Sequence, residues 1–141
     1  LHVAAGARAL RHRMAVIVRI FGGDVTPEQM QERAEDMALM RPNDKLVSHV
    51  VTAFATRCPV SIKLFWRLLQ MADGITDIGA ALTLDYHLAM RMIRRGDFIE
   101  GVRTVLVDRD NAAKWSPTSL ALVDEALLNT LFDKDGLPPL C

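Results

Sequence analysis

The stretch Gly96–Pro117, GDFIEGVRTVLVDRDNAAKWSP, is the most informative part of this 141-residue chain. It predicts a helix that begins at Asp97, whose carboxylate caps the first amides while Glu100 reaches back, as in a capping box. Gly101 inside the helix predicts close approach by another backbone. Apolar residues at helical spacing predict one face about three turns long: Phe98, Ile99, Val102, Val105 and Leu106.

The end of this stretch is charged and then aromatic. Asp108, Arg109 and Asp110 mark the helix exit and are most often a solvated ion cluster. Lys114–Pro117 then supplies a cation, a large aromatic anchor, a possible cap and a proline at a possible first helical position. For Trp115, docking onto a neighbouring domain is a commoner role than contact with a ligand.

The identity and order of these residues resemble the C-terminal segment of 3-hydroxyisobutyryl-CoA hydrolases, a branch of the crotonase (enoyl-CoA hydratase/isomerase) superfamily. Members of that family end with the motif D-F-x-E-G-V-R-A-V-L-x-D-[KR]-D, followed by the motif K-W-x-P. Here the first motif spans Asp97–Asp110, with Thr104 in place of the small Ala, and the second spans Lys114–Pro117. A related block, E-G-x-x-A-F-x-E-K-R, ends enoyl-CoA hydratases. Membership of the superfamily is therefore a safer inference than the exact reaction.

Two weaker matches lie upstream of this block. Cys58–Ser61 resembles an S-P-x-S segment with Cys in place of Ser, and Leu84–Leu88 resembles an M-E-Y-R-L type segment. The resemblance extends from about Phe21 to Phe132, and residues 1–20 are only loosely placed by it. It covers most of the chain.

The resemblance implies that this chain is the C-terminal helical region of an acyl-CoA thioester hydrolase of valine catabolism. The region would cover a β-rich catalytic core upstream and shape the acyl-CoA site, and it would be inactive alone. The implied partners are that core and the acyl-CoA substrate, with no cofactor. Arg109 would lie near the coenzyme A phosphates, with Lys114 and Trp115 in the same vicinity. The implied location is mitochondrial in a eukaryote and otherwise cytoplasmic.

Two alternatives remain open. The chain could be the same region of an enoyl-CoA hydratase or isomerase, or it could be an independent helical interaction module. If it is a fragment, it should expose a contiguous apolar patch where it normally meets the core, and it could self-associate through that patch.

Composition excludes several other classes of protein. The length predicts one domain, residues 1–141. Half of the residues are apolar and the formal net charge is zero, which gives no reason to expect disorder or nucleic-acid binding. No apolar run reaches the roughly 18 residues of a membrane span. Cys58 and Cys141 form no metal-binding motif, so we expect neither metal ligands nor a disulfide framework.

The N-terminal stretch is basic: four arginines and no acidic residue precede Asp24. This pattern is typical of a mitochondrial transit peptide, but a basic helix is the favoured interpretation. We expect that helix to be packed by Leu10, Met14, Ile17 and Phe21. The segment Met14–Phe21 is rich in Val and Ile, yet a lone strand would have no partner, so a helix is predicted there as well.

The rest of the chain predicts an all-α fold of about seven helices. Thr26 and Gln29 form a capping box, and Asn43 caps the next helix. A third helix begins at Pro59, is apolar nearly all round apart from Lys63, Arg67 and Gln70, and is expected to be central. A long helix from about Thr76 to Arg95 and a last one at about Asp124–Phe132 follow. The apolar face expected for the long helix comprises Ile78, Leu82, Tyr86, Ala89 and Ile93, and it is widened by Leu84, Leu88 and Met92.

Candidate catalytic groups are few. Ser48–His49 and Ser61 show no arrangement of a nucleophile with a base. His87, beside Asp85 and Tyr86 on a long helix, is better explained as a structural or interface residue. We therefore expect no catalytic residue within this chain.

Overall fold

A computed structural model describes residues 2–133, with the side chains of residues 2–10 and 12 excluded. Within that range there are seven α-helices and no strand, which confirms the all-α prediction. A π-helical turn at Arg103–Val107 follows the sixth helix, and a short 3-10 turn at Leu120–Leu122 precedes the last. The helices are α1 (His2–Phe21), α2 (Pro27–Met40), α3 (Lys45–Thr56), α4 (Pro59–Ala72), α5 (Ile78–Ile93), α6 (Gly96–Val102) and α7 (Glu125–Phe132).

The chain divides into two compact units, one ending at Arg57 and the other beginning at Cys58. The first contains α1 to α3, and the second contains α4 to α7. The single domain expected from the length stays a prediction. Cys141 and the Gly136 tail lie outside the described residues.

In the first unit, α1 is helical through Met14–Phe21, as predicted, but its buried face differs from the expected one. Val16 and Ile20, one turn apart, are almost completely buried. They form a core with residues of α2 and α3: Ala34, Met37, Val47 and Val50. The expected packing residues Met14, Ile17 and Phe21 are all exposed, and the side chain of Leu10 lies outside the described set. That part of the prediction is wrong because a Val/Ile-rich helix carries more than one apolar stripe.

Helix caps in the first unit follow the sequence closely. The capping box at α2 is confirmed: the Gln29 amide donates to Thr26 Oγ1 at 3.4 Å and the Thr26 amide donates to Gln29 Oε1 at 3.0 Å. The cap of α3 is Asp44 and not the predicted Asn43, since Asp44 Oδ1 accepts from the Leu46 amide at 3.0 Å. The Asp44 amide donates to Arg41 O, so the turn must close before the helix begins.

In the second unit, α4 contacts its neighbours through its polar stripe. Lys63 Nζ donates to Val123 O at 2.8 Å, and the Arg67 guanidinium pairs with Glu125 and lies 5.0 Å from the centre of the Phe132 ring. Phe65 is 59% exposed, and Leu69 is also exposed. The prediction that this helix is central and buried on most sides is therefore wrong.

The apolar face predicted for the long helix α5 is buried only in part. The core of the second unit takes Leu88, with Leu84 and Met92 one turn to either side. Ile78 and Leu82, from the face expected to be buried, are exposed. The last helix is confirmed, with Asp124 as its cap, and its inward residues Leu128 and Leu131 complete that core together with Val60 and Val123.

Candidate functional site

Asp97 does not cap a helix in the structure. Helix α6 begins at Gly96, so the residue at the capping position is Arg95, whose side chain makes no capping bond. Asp97 is 6% exposed, and its Oδ1 accepts from the Ser116 amide at 2.9 Å while Oδ2 pairs with Arg95 at 3.0 Å. The capping-box prediction is wrong. The carboxylate of Asp97 instead connects α6 to the loop that carries Ser116.

Glu100 makes a second hydrogen bond to the same loop, at Lys114. Its Oε1 accepts from the Lys114 amide at 2.7 Å, and both of its oxygens accept from the Arg103 guanidinium at 2.8 Å. Because hydrogen bonds from Arg103, and next from the Lys114 amide, stabilise the carboxylate, the pKa of Glu100 falls from 4.5 to about 2. Glu100 therefore stays ionised at acidic pH values at which an ordinary glutamate is protonated.

Arg103 is the centre of this cluster. Besides Glu100, its guanidinium donates to Asp108, to Asp110 at 3.1 Å and to Ala112 O at 3.3 Å. These carboxylates, Glu100 first, raise the pKa of Arg103 above its ordinary value. The amide of Ala112 and then Arg103 lower the pKa of Asp110.

Sequence reasoning missed Arg103, although a signal was available. Arg103 is the lone basic residue in the apolar run Gly101–Val107, and it has acidic residues three positions before it and five and seven positions after it. A guanidinium with several carboxylates within reach is expected to bridge them through its fixed fork of donors.

The helix changes geometry at Arg103. Over Arg103–Val107 it forms a π-helical turn that ends with the Asp108 amide donating to Arg103 O at 2.8 Å. Thr104 is buried and donates through Oγ1 to Gly101 O, while its own carbonyl accepts from the Asn111 amide. Single π-helical turns are frequent at functional sites, so this turn and the loop after it are a candidate site.

The three residues expected near coenzyme A all lie on this loop. Arg109 is exposed and has a left-handed backbone with a φ of 57°. Across residues 2–133, its side chain makes no hydrogen bond or ion pair. Lys114 has an exposed side chain, and only its backbone amide is held by Glu100. Trp115 is half-buried against the core of the second unit.

The close contact with Trp115 accounts for the glycine at position 101. A Cβ built on Gly101 would lie 3.4 Å from Cη2 of the indole, so the close neighbour is this ring. The prediction of a neighbouring backbone is wrong. The Trp115 ring packs against α6, and this contact fixes the point at which the chain turns back towards α7.

An apolar groove of about 400 Å³ lies beside α6. Its lining includes Cys58, Met92, Phe98, Val102, Val105 and Trp115. Such a surface suits an apolar group and offers little to a charged one. No group of three or more His, Cys, Asp or Glu side chains suited to a metal ion occurs among the residues that the structure describes.

The apolar face predicted for the Gly96–Pro117 stretch is real but exposed. Ile99 is 68% exposed and Val107 is 69% exposed. Phe98, Val102, Val105 and Leu106 are also exposed, so one side of α6 and the π-helical turn presents a row of apolar side chains. No described helix is both long and apolar enough to cross a membrane.

Other candidate chemical groups are not assembled into a site. Ser61 is exposed and lies at the edge of the groove with Cys58. His87 is on α5, where its ring centre is 5.8 Å from that of Tyr86, and its Nδ1 has no hydrogen-bond partner within the described residues. Ser48 and His49 are exposed residues of α3 in the first unit.

The chain matches a known protein family over nearly its whole length. A family model described as enoyl-CoA hydratase/isomerase matches residues 2–132. A mitochondrial 3-hydroxyisobutyryl-CoA hydrolase of Xenopus laevis is 30% identical over 127 residues, which is 90% of this chain and 31% of that protein. The Homo sapiens protein of the same name is 40% identical over 78 residues, 55% of this chain and 20% of the relative. The chain thus spans under a third of the length of these relatives.

Solved structures share the fold. A carnitinyl-CoA dehydratase from Mycobacterium thermoresistibile superimposes with a TM-score of 0.77 at 23% identity, over 94% of this chain and 36% of that one. An enoyl-CoA hydratase from Rhodobacter sphaeroides gives 0.75 at 24% identity, over 90% and 36%. The family match across residues 2–132 shows that the chain belongs to the enoyl-CoA hydratase/isomerase family.

Proposed function

We propose that this chain is the C-terminal helical region of a 3-hydroxyisobutyryl-CoA hydrolase-like enzyme, which cleaves a branched 3-hydroxyacyl-CoA thioester in valine catabolism. The relatives that bear this name support the assignment, since they match up to 90% of the chain. The region would cover a catalytic core and shape the entrance of the acyl-CoA site.

The observation that carries the proposal is the exposed apolar face of α6 and the π-helical turn. Its opposite side is fixed by the Asp97 and Glu100 bonds, so the helix cannot turn these residues inward without breaking them. Burying a side chain such as Ile99 or Leu106 gains roughly 1.5–3 kcal/mol. A face of this kind favours a partner, and the partner we propose is the core of the same polypeptide.

We assign the coenzyme A contact to the loop after the π-helical turn. Arg109 supplies a guanidinium with no partner among residues 2–133, and it can hold a phosphate with two parallel hydrogen bonds. Lys114 supplies a second positive charge on a flexible stem. Trp115 bounds the groove and supports the loop from the core side.

The chemical step is proposed to take place on the core and not on this region. Thioester cleavage needs donors for the developing oxyanion and a carboxylate that manages water or protons. In this region Asp97, which lines the groove, and Glu100, one turn along α6, are already engaged by the loop amides and by arginines. We accordingly propose that the isolated region is inactive and that the complete reaction uses no cofactor besides the acyl-CoA substrate. The proposed location is mitochondrial in a eukaryote and otherwise cytoplasmic.

One assay separates the proposal from its rivals. The product of the full open reading frame is incubated with 3-hydroxyisobutyryl-CoA and, separately, with an enoyl-CoA, while free thiol and hydration are followed. We expect thiol release from the hydroxyacyl substrate. Hydration or isomerisation without thiol release would assign the chain to a hydratase or isomerase. No turnover of either substrate would favour an independent interaction module, and self-association of the isolated region through the α6 face is then the property to measure.

A further inference from the structure

The loop 108–116 places Arg109 in a backbone conformation that arginine does not favour. Arg109 and Asn111 are both left-handed, with φ values of 57° and 53°. A long side chain such as arginine disfavours this region, whereas asparagine tolerates it, so the surroundings must impose it on Arg109.

Arg103 supplies that constraint. Its Nη1 contacts the carboxylates of Asp108 and Asp110, the two residues that flank Arg109. Its Nη2 reaches Ala112 O beyond them and Glu100 on the preceding turn. One guanidinium therefore bonds to the helix and to both sides of the strained residue.

The charges show why Arg103 cannot itself be the phosphate ligand. Its donors are already engaged by three carboxylates, those of Glu100, Asp108 and Asp110. The remaining cations of the loop are Arg109 and Lys114, and the guanidinium of Arg109 has no partner among the described residues. The cluster thus uses one arginine to hold the loop and leaves another available.

We propose that Arg103 is a positioning residue that holds Arg109 in its left-handed conformation, ready to bind the phosphate groups of the acyl-CoA. This inference rests on the proposed function, because it takes the coenzyme A contact at Arg109 as its starting point. The hydrogen bonds from Arg103 also lower the pKa of Glu100, as expected for a carboxylate that a guanidinium stabilises.

The test uses the protein of the full open reading frame and two thioesters of the same acyl group, one on coenzyme A and one on pantetheine, which lacks the nucleotide and its phosphates. Arg109→Gln is expected to raise KM for the coenzyme A thioester about tenfold, with kcat nearly unchanged and the pantetheine thioester unaffected. Arg103→Gln should produce the same selective loss. The double variant should be no worse than Arg109→Gln alone, since both changes remove one interaction.

Two further variants keep the test independent of folding. Arg103→Lys keeps the charge but lacks the forked donors of a guanidinium, so its KM for the coenzyme A thioester should stay raised. Arg109→Lys should retain most of the affinity for this thioester, because a point charge also attracts phosphate. Arg94→Gln, at an exposed position at the end of α5, is the matched control and should leave both KM values unchanged.

The outcomes separate the two claims. If Arg109→Gln shows the selective loss but Arg103→Gln does not, or if their effects add, the positioning role is overturned and the proposed function stands. Equal loss on both thioesters in Arg103→Gln would also overturn it, because that is the signature of a merely structural residue. If Arg109→Gln changes nothing, the coenzyme A contact is wrong. Calorimetric titration with free coenzyme A makes the same distinction for an enzyme without hydrolase activity, since Arg109→Gln should then weaken binding about tenfold.

Discussion

Asp97 shows at the scale of one residue how this region is held together. Its carboxylate is buried, and it satisfies a loop amide and an arginine at once. Buried polar groups are costly when a partner is lost, because the remaining group stays desolvated. The residue therefore couples the start of α6 to the loop more strongly than a capping aspartate would.

We expect Asp97→Asn to destabilise the chain by about 2 kcal/mol, because the amide is neutral and has one acceptor oxygen for the Ser116 amide and Arg95 together. Chemical denaturation measures the loss. The control is Asp85→Asn on α5, where the carboxylate is exposed and a change within about 0.5 kcal/mol is expected. Equal effects of the two substitutions would contradict the role of Asp97.

Residue types alone did not reveal these pairings. Asp97 and Glu100 at a helix start fit a capping box, and the sequence holds no information on whether the helix begins one residue earlier. The partners of the two carboxylates lie 19 and 14 positions away at Ser116 and Lys114. Only the path of the loop brings them back, so these contacts could not be read from local spacing.

At the scale of the element, the Glu100–Arg103 pair should make the stability of α6 depend on pH. The pKa of Glu100 in the folded chain, about 2, is below the ordinary value of 4.5, so the carboxylate stabilises the fold above about pH 4.5. That contribution should be lost as the pH falls from about 4.5 to about 2. The measurement is the difference in free energy of unfolding between the wild type and Glu100→Gln across this range.

The same comparison in an Arg103→Gln background provides the control for this pH dependence. Without the guanidinium, the difference between glutamate and glutamine should vary much less with pH, since Arg103 is the first cause of the low pKa. An unchanged pH profile in that background would contradict the assignment to Arg103.

Gly101 gives a second prediction for α6. Gly101→Ala should be neutral or stabilise the helix by up to about 1 kcal/mol, because a Cβ would make ordinary contact with the Trp115 ring at 3.4 Å and alanine favours helix. Gly101→Val should destabilise the chain, since its branched carbons must displace the indole. Thermal unfolding ranks the three proteins, and Gly96→Val, where a Cβ meets nothing within 4 Å, is the control for β-branching.

Helix positions were predictable from the sequence, and so were the buried faces of α2, α3 and α7, but those of α1 and α4 and part of that of α5 were not. Caps such as Thr26 and Asp124 locate the helices because they act through the nearest backbone groups. Periodicity counts apolar residues without saying which stripe packs inside the chain. Helices α4, α5 and α6 each carry an apolar stripe that is exposed here, which is expected if those stripes contact protein outside this chain.

At the scale of the whole molecule, we predict that two leucines behave differently when the rest of the protein is present. Leu106→Ala should change the stability of the isolated chain by less than about 0.5 kcal/mol, because the side chain is exposed. In the product of the full open reading frame it should cost about 2–3 kcal/mol, because the proposed function has the core cover this side chain. Denaturant unfolding of both proteins gives the comparison.

Leu88→Ala is the matched control for this comparison. Leu88 is already buried in the core of the second unit, so its loss should cost about 3 kcal/mol in either protein. If Leu106→Ala were equally mild in both proteins, the α6 face would not be the surface that meets the core.

The accessibility of position 99, with and without the rest of the protein, tests the docking of this region most directly. A cysteine is placed there as Ile99→Cys, with Cys58 and Cys141 replaced by alanine, and the rate of thiol labelling is measured. Ser119→Cys, at an exposed polar position, serves as the reference for reagent access. We predict rapid labelling at position 99 in the isolated chain and strong protection in the full-length protein; equal rates in the two would contradict the claim that this helical face docks on a catalytic core.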